Sequence, residues 1–169
     1  MCFRLYFRIN RASLKKLVLF FLALSAAWSS CETIDLFEKN AVVPGNAWDY
    51  GFKPTFRFEI RDTTSSYQVY FVVRHTDAYG YNNIWIKADM KGPSDSAWTS
   101  QRFDCPLATN DKWLGSAMDD LYEHRILLSP RPLRFPRAGV YEFRLEQVMR
   151  ENPLRHVMNV GLRVEKQRS

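Results

Sequence analysis

The chain has 169 residues, a formal net charge of +6, 15% aromatic residues, 7 glycines and 3 cysteines. Its excess positive charge is concentrated in the first thirty residues, where Arg4, Arg8, Arg11, Lys15 and Lys16 stand without an acid; the remainder is close to neutral, which excludes a nucleic-acid partner. Cys2 lies in an N-terminal segment expected to be removed and Cys31 at its end is expected to be modified, so Cys105 has no intramolecular partner and no disulfide framework is expected; His75, His124 and His156, widely spaced with no CxxC or HExxH, exclude a metal-ligand array and read as scattered surface or turn residues.

In chain order, the basic stretch is followed by the apolar run Leu17-Val18-Leu19-Phe20-Phe21-Leu22-Ala23-Leu24 and then by Ser25-Ala26-Ala27-Trp28-Ser29-Ser30 before Cys31. That run is far short of the roughly 20 residues a membrane-spanning helix needs. It reads instead as the apolar region of an export signal. The order basic, apolar, small, cysteine resembles the lipobox of bacterial lipoproteins, which implies cleavage before Cys31 and a thioether to diacylglycerol on its sulfur. Trp28 departs from the pattern, which has an aliphatic residue there. The alternative is an ordinary signal cut near Ala27 or Ser30, leaving Cys31 a free thiol. Residues 1–30 are thus expected to be a lipoprotein signal peptide, 31–47 a lipidated tether ending in the turn Val43-Pro44-Gly45-Asn46, and 48–169 a folded domain.

Within that domain the dominant signal has period two, which sends alternate side chains to opposite faces of a strand. Phe56, Phe58 and Ile60 alternate with Arg57, Glu59 and Arg61, and Tyr67, Val69, Phe71 and Val73 alternate with Gln68, Tyr70, Val72 and Arg74. With Asp62 to Ser66 as the loop, these two runs read as an antiparallel hairpin. Further strands are expected at Asn83 to Ala88, Trp98 to Phe103, Tyr122 to Leu128, Val140 to Met149 and Val160 to Val164, with a turn at Lys91-Gly92-Pro93-Ser94. Trp113, Leu114, Met118 and Leu121 recur at roughly helical spacing and predict one short helix within Asp111 to Tyr122, weakened by Gly115. Three prolines and three arginines between Ser129 and Arg137 mark an exposed loop or edge. The fold class is all-β, a single antiparallel sandwich with at most one short helix.

The chain has no GxSxG, no P-loop and no dinucleotide fingerprint, so neither catalysis nor cofactor binding is indicated. Glu142 and Glu146 share a strand face with Arg144 and read as a solvated charged face, not an acid/base pair. The densest polar and aromatic segment is Arg74 to Asn83. There Tyr79 and Tyr81 can stack on a sugar or peptide, or His75, Asp77 and the asparagines satisfy backbone groups of a long connection. Trp113 either anchors a partner or packs its segment on the sheet. His75, Tyr79, Tyr81, Asn83 and Trp113 are the candidate partner or ligand contacts. A lipid-anchored carbohydrate-binding module using Tyr79, Tyr81 and Trp85 is the competing function.

Several landmarks recur in order: Cys31, Phe37, Trp48, Phe56 to Asp62, Tyr67, Arg74-His75-Thr76 with Tyr79, Tyr81 and Asn83, Lys112-Trp113-Leu114-Gly115, Gly139 to Phe143, Glu146 to Arg150, and Val160 to Val164. Together they resemble the gliding-motility lipoprotein family GldH of the Bacteroidetes, from Cys31 nearly to the C-terminus. The resemblance implies a lipid-anchored, non-enzymatic accessory or scaffold protein linked to gliding motility and type IX secretion. Its implied partners are the membrane, through acyl chains such as palmitate on Cys31, and other envelope proteins; it implies no cofactor. A periplasm-facing position in the cell envelope is expected.

Overall fold

Alternating apolar residues need one covered face per strand, and two antiparallel sheets supply it by packing face to face. The computed structural model describes residues 35–110 and 112–167, so the expected signal peptide and Cys31 lie outside the described residues. The strands are β1 (Leu36–Val42), β2 (Ala47–Trp48), β3 (Thr55–Ile60), β4 (Tyr67–Thr76), β5 (Asn83–Lys91), β6 (Thr99–Pro106), β7 (Ala108–Thr109), β8 (Lys112–Trp113), β9 (Ser116–Met118), β10 (Leu121–Leu127), β11 (Gly139–Gln147), β12 (Leu154–Arg155) and β13 (Val157–Lys166). One sheet has the order β1, β13, β4, β10, β9 and the other β3, β11, β5, β6; β12 pairs with β2, and β7 with β8.

The core lies between the two large sheets. Phe56, Phe58, Tyr141, Phe143, Leu145, Ile84 and Ile86 come from one face, and Val69, Phe71, Val73, Val160, Leu162 and Val164 from the other. Rings bridge the layers: Phe37 of β1 lies 5.3 Å from Phe58 of β3 between centroids. Phe135, in the Pro/Arg-rich segment expected to be exposed, is itself buried, 5.4 Å from Tyr67 and 4.6 Å from Tyr141. The fold is the expected all-β sandwich, with no helix among the described residues except the short 3-10 turn Pro44–Asn46.

Three expectations change in detail. The runs read as one hairpin, β3 and β4, lie in different sheets: β3 pairs with β11, and β4 sits between β13 and β10. The connecting loop crosses between layers. Asp62 tightens it by accepting the Thr64 and Ser65 amides, and Lys166 pairs with the same carboxylate at 2.7 Å. The stretch read as a tether is, from Leu36 on, an edge strand in register with β13 from Leu36↔Glu165 to Val42↔Asn159. Gly161 permits this approach, since a Cβ there would lie 2.7 Å from the Lys39 carbonyl and collide with the Asn40 side chain.

The third change is the helix within Asp111 to Tyr122, which is replaced by two strand pairs. β8 folds onto β7, and β9 turns into β10 through Asp119, whose φ is +54°. Helical spacing misleads here because those apolar residues share no buried face: Leu114 is 55% exposed and Met118 68%.

The outer face of the four-stranded sheet carries the charged pattern expected of it. Glu146 pairs with Lys53 at 3.0 Å and with Lys87 at 2.8 Å, and Glu142 pairs with Arg57 at 3.3 Å.

Candidate functional site

The C-terminal end of β4, the start of β10 and the β8 strand meet at one end of the sandwich, and most of the sequence-selected residues meet there too. β4 pairs with β10 in the register His75↔Tyr122 and Val73↔His124. That register puts His75 and His124 on a diagonal of one sheet face. Both are buried, their rings stacked with centroids 5.0 Å apart and their Nε2 atoms 2.9 Å apart. The histidines read as scattered surface residues are therefore, for this pair, a correction: the strand register makes them core neighbours.

The tautomers follow from the partners. His75 Nδ1 lies 2.7 Å from the Thr76 carbonyl, which can only accept, so Nδ1 carries the proton. The neutral His75 Nε2 then accepts from the His124 Nε2–H, an assignment made from the hydrogen-bond network. Burial lowers the pKa of both rings, that of His124 to about 4, with the adjacent His75 adding to its fall. The pair is uncharged at neutral pH.

Aromatic rings enclose it. Trp113 of β8 lies 4.5 Å from His75 and 5.5 Å from Tyr122; Tyr79 lies 5.0 Å from His75 and 5.7 Å from Tyr81. Tyr79 is buried, donates to the Asn83 carbonyl at 3.1 Å, and has its hydroxyl pKa raised chiefly by burial. Asn83 uses its side-chain amide on Asp104, at 2.6 Å. All five candidate contacts thus belong to one connected network. His75 and Tyr79 are closed off inside it, while Tyr81 faces solvent. Tyr122 and His124 were not among the candidate contacts, although with Ile126 they alternate along one strand face.

The cluster can hold the β7–β10 segment against the sandwich. It has no carboxylate on the His75 ring to orient a general base and no nucleophile in ring contact, and no group of three or more His, Cys, Asp or Glu residues that could hold a metal occurs among the described residues. Cys105 is buried, and burial pushes its thiol up to about 12, so it is a core residue and not a reactive one. Beyond the histidines lies a groove of about 400 Å³ lined by Pro106, Leu114, Gly115, Ser116, Glu123 and Arg125, with His124 at its wall. Leu114 and Met118 stand exposed beside β10, on the hairpins that the cluster anchors.

These features define an all-β sandwich domain whose one end is closed by an aromatic and histidine plug that presents two short hairpins. The sequence model of the GldH lipoprotein family matches residues 35–164, and the chain belongs to that family. It is similar to a gliding motility lipoprotein GldH homolog of Christiangramia forsetii, 23% identical over 146 residues, 82% of this chain and 88% of that one. It is also similar to the gliding motility lipoprotein GldH of Flavobacterium johnsoniae, 24% identical over 144 residues, 80% and 87% of the two chains. Among solved structures, the crystal structure of an infectious bursal disease virus VP2 subviral particle aligns with 79% of this chain and 33% of that chain, at 12% identity and a TM-score of 0.32. A likeness this weak carries no argument.

Proposed function

We propose that the chain is a lipid-anchored, non-catalytic accessory or scaffold component of the gliding motility and type IX secretion apparatus, acylated on Cys31. The observation that carries this reading is the family match over residues 35–164, which begins just after that cysteine. Two or more acyl chains, at about 0.8 kcal/mol per buried methylene, hold such a protein at a membrane for cellular times. The sandwich then works in the periplasm within reach of other envelope proteins. Its contact surface is the hairpin pair carrying Leu114 and Met118, apolar residues displayed to solvent on a rigid support.

Membrane fractionation followed by pull-down of the tagged chain in mild detergent tests this. The expected result is recovery with the membrane, together with motility or secretion proteins that are lost in Leu114→Asp plus Met118→Asp. Recovery in the soluble fraction, or co-purification unchanged by the double variant, contradicts it.

A further inference from the structure

A second concavity, separate from the plug, lies where β5 and β6 meet the turn after β11. It is a groove of about 430 Å³ lined by Tyr81, Trp85, Arg102, Val148, Met149 and Arg150. Trp85 is 42% exposed and Tyr81 39%, so two large flat rings open onto one groove. Arg102 and Arg150 are exposed and make no ion pair among the described residues. Their neighbours on the sheet behave differently: Lys53, Arg57, Lys87 and Arg144 each meet a carboxylate. The lining therefore holds two guanidinium groups outside any ion pair and no acid. Two acids border the groove without lining it: Glu151 accepts from the Tyr81 hydroxyl at 2.7 Å, and Asp104, opposite Trp85 in the β5–β6 register, accepts from the Asn83 amide at 2.6 Å. Both donors are neutral, so both acids keep their charge and a bound anion must sit on the arginine side.

The wall of this groove is built from beneath. Gln147 is fully buried; its amide nitrogen donates to the Trp48 and Glu151 carbonyls, each at 3.2 Å, and its oxygen accepts the Met149 amide at 2.8 Å. A satisfied buried amide of this kind fixes the path of the turn and so the direction of Met149 and Arg150. Trp85 is fixed through its backbone, its N–H donating to Met149 Sδ at 3.2 Å and its carbonyl accepting the Val148 N–H at 2.9 Å. Both ladder groups of Trp85 are thus occupied, and an extended peptide finds no backbone partner at Trp85 itself, the free edge of this sheet lying on β6. What remains for recognition is ring faces and guanidinium groups.

We propose that this groove binds an acidic saccharide. The apolar C–H face of a pyranose ring packs on Trp85 and Tyr81, and carboxylate or sulfate groups pair with Arg102 and Arg150 in the fork geometry that guanidinium favours. The carbohydrate module weighed from the sequence placed Tyr79, Tyr81 and Trp85 together. Burial removes Tyr79 from that set, and the two arginines give the site its charge preference. The assignment stands independently of the motility reading.

The test measures binding of the full-length chain in mild detergent to oligogalacturonate, alginate oligomers and heparin-derived oligosaccharides, with methyl-esterified oligogalacturonate and poly-glutamate as comparisons. At least one acidic saccharide is expected to bind in a salt-dependent manner, and Trp85→Ala and Arg102→Ala are each expected to weaken it about tenfold. Arg131→Ala, at an exposed position outside the groove, leaves it unchanged. Trp85 and Arg102 lie on the outer sheet face, so unchanged melting midpoints separate lost contact from lost fold. Absence of binding to all three acidic saccharides overturns the proposal. So does binding that survives both variants, or poly-glutamate binding as tightly as the saccharides, which assigns the groove to an acidic peptide.

Discussion

His75 and His124 meet Nε2 to Nε2 at 2.9 Å inside the sandwich, one accepting the proton the other donates. A proton added to His75 would set two N–H groups against each other in that contact, and one added to His124 at Nδ1 would place a charge in a buried site; the Tyr79, Trp113 and Tyr122 rings around His75 offer no counter-charge. The folded state therefore keeps both imidazoles neutral, His124 with a pKa of about 4, while the unfolded chain protonates it near 6.5. Between those values the unfolded state binds more protons, so this contribution is fully present above 6.5 and is lost as the pH falls toward 4. The loss is on the order of 3 kcal/mol. Asp89 and Glu146, whose pKa values are lowered from 3.8 and 4.5, add their own losses only at the lower edge of that window. Thermal melting across the window reads the effect; a midpoint that stays level down to its lower edge contradicts the pairing.

Gly115 sits where a side chain has no room. A Cβ there would lie 2.5 Å from the Glu123 carbonyl oxygen and 2.8 Å from His124 Nε2. Gly115→Ala is expected to destabilise by about 1 to 3 kcal/mol by forcing the hairpins off β10. Gly80→Ala, with nothing within 4 Å of the added carbon, is expected to be neutral or slightly stabilising. Denaturant unfolding of the two variants compares them directly, and equal midpoints refute the close packing at Gly115.

The outer face of the four-stranded sheet has one acid that is not solvated. Asp89 is 1% exposed and is held by Arg144 Nε and Nη2 at 3.0 and 2.7 Å and by Ser100 at 2.5 Å. The Arg144 guanidinium also lies 4.6 Å from the Trp98 ring centroid. Removing it in Arg144→Ala strands a buried charge and is expected to cost about 3 kcal/mol. Arg57→Ala, which breaks the more exposed pair with Glu142, costs less than about 1 kcal/mol. A smaller loss for Arg144→Ala than for Arg57→Ala in chemical denaturation refutes this ranking.

The strands were legible in the sequence wherever one face is buried and the other wet. Phe56, Phe58 and Ile60 alternate with charged residues, as do Tyr141, Phe143 and Leu145, and both runs are strands with those faces inward. Pairing was not legible. β4 is central, with Phe71, Val72 and Val73 buried in succession, and nothing local to its sequence names β13 and β10 as its neighbours. The same holds for the site. His75, Tyr79 and Trp113 stood out as residues, but the rings that close over His75 include His124 and Tyr122, which reach it only through the β4–β10 register. Arg102 was invisible for the same reason, since only the β5–β6 register sets it beside the Trp85 groove.

The proposed acyl anchor on Cys31 is read most directly by metabolic labelling. Cells expressing the tagged chain are grown with labelled palmitate, alongside cells expressing Cys31→Ser. Label is expected in the wild-type protein and none in the variant, with the variant leaving the membrane fraction. A wild-type protein that takes up no label, or a Cys31→Ser protein labelled equally, contradicts it.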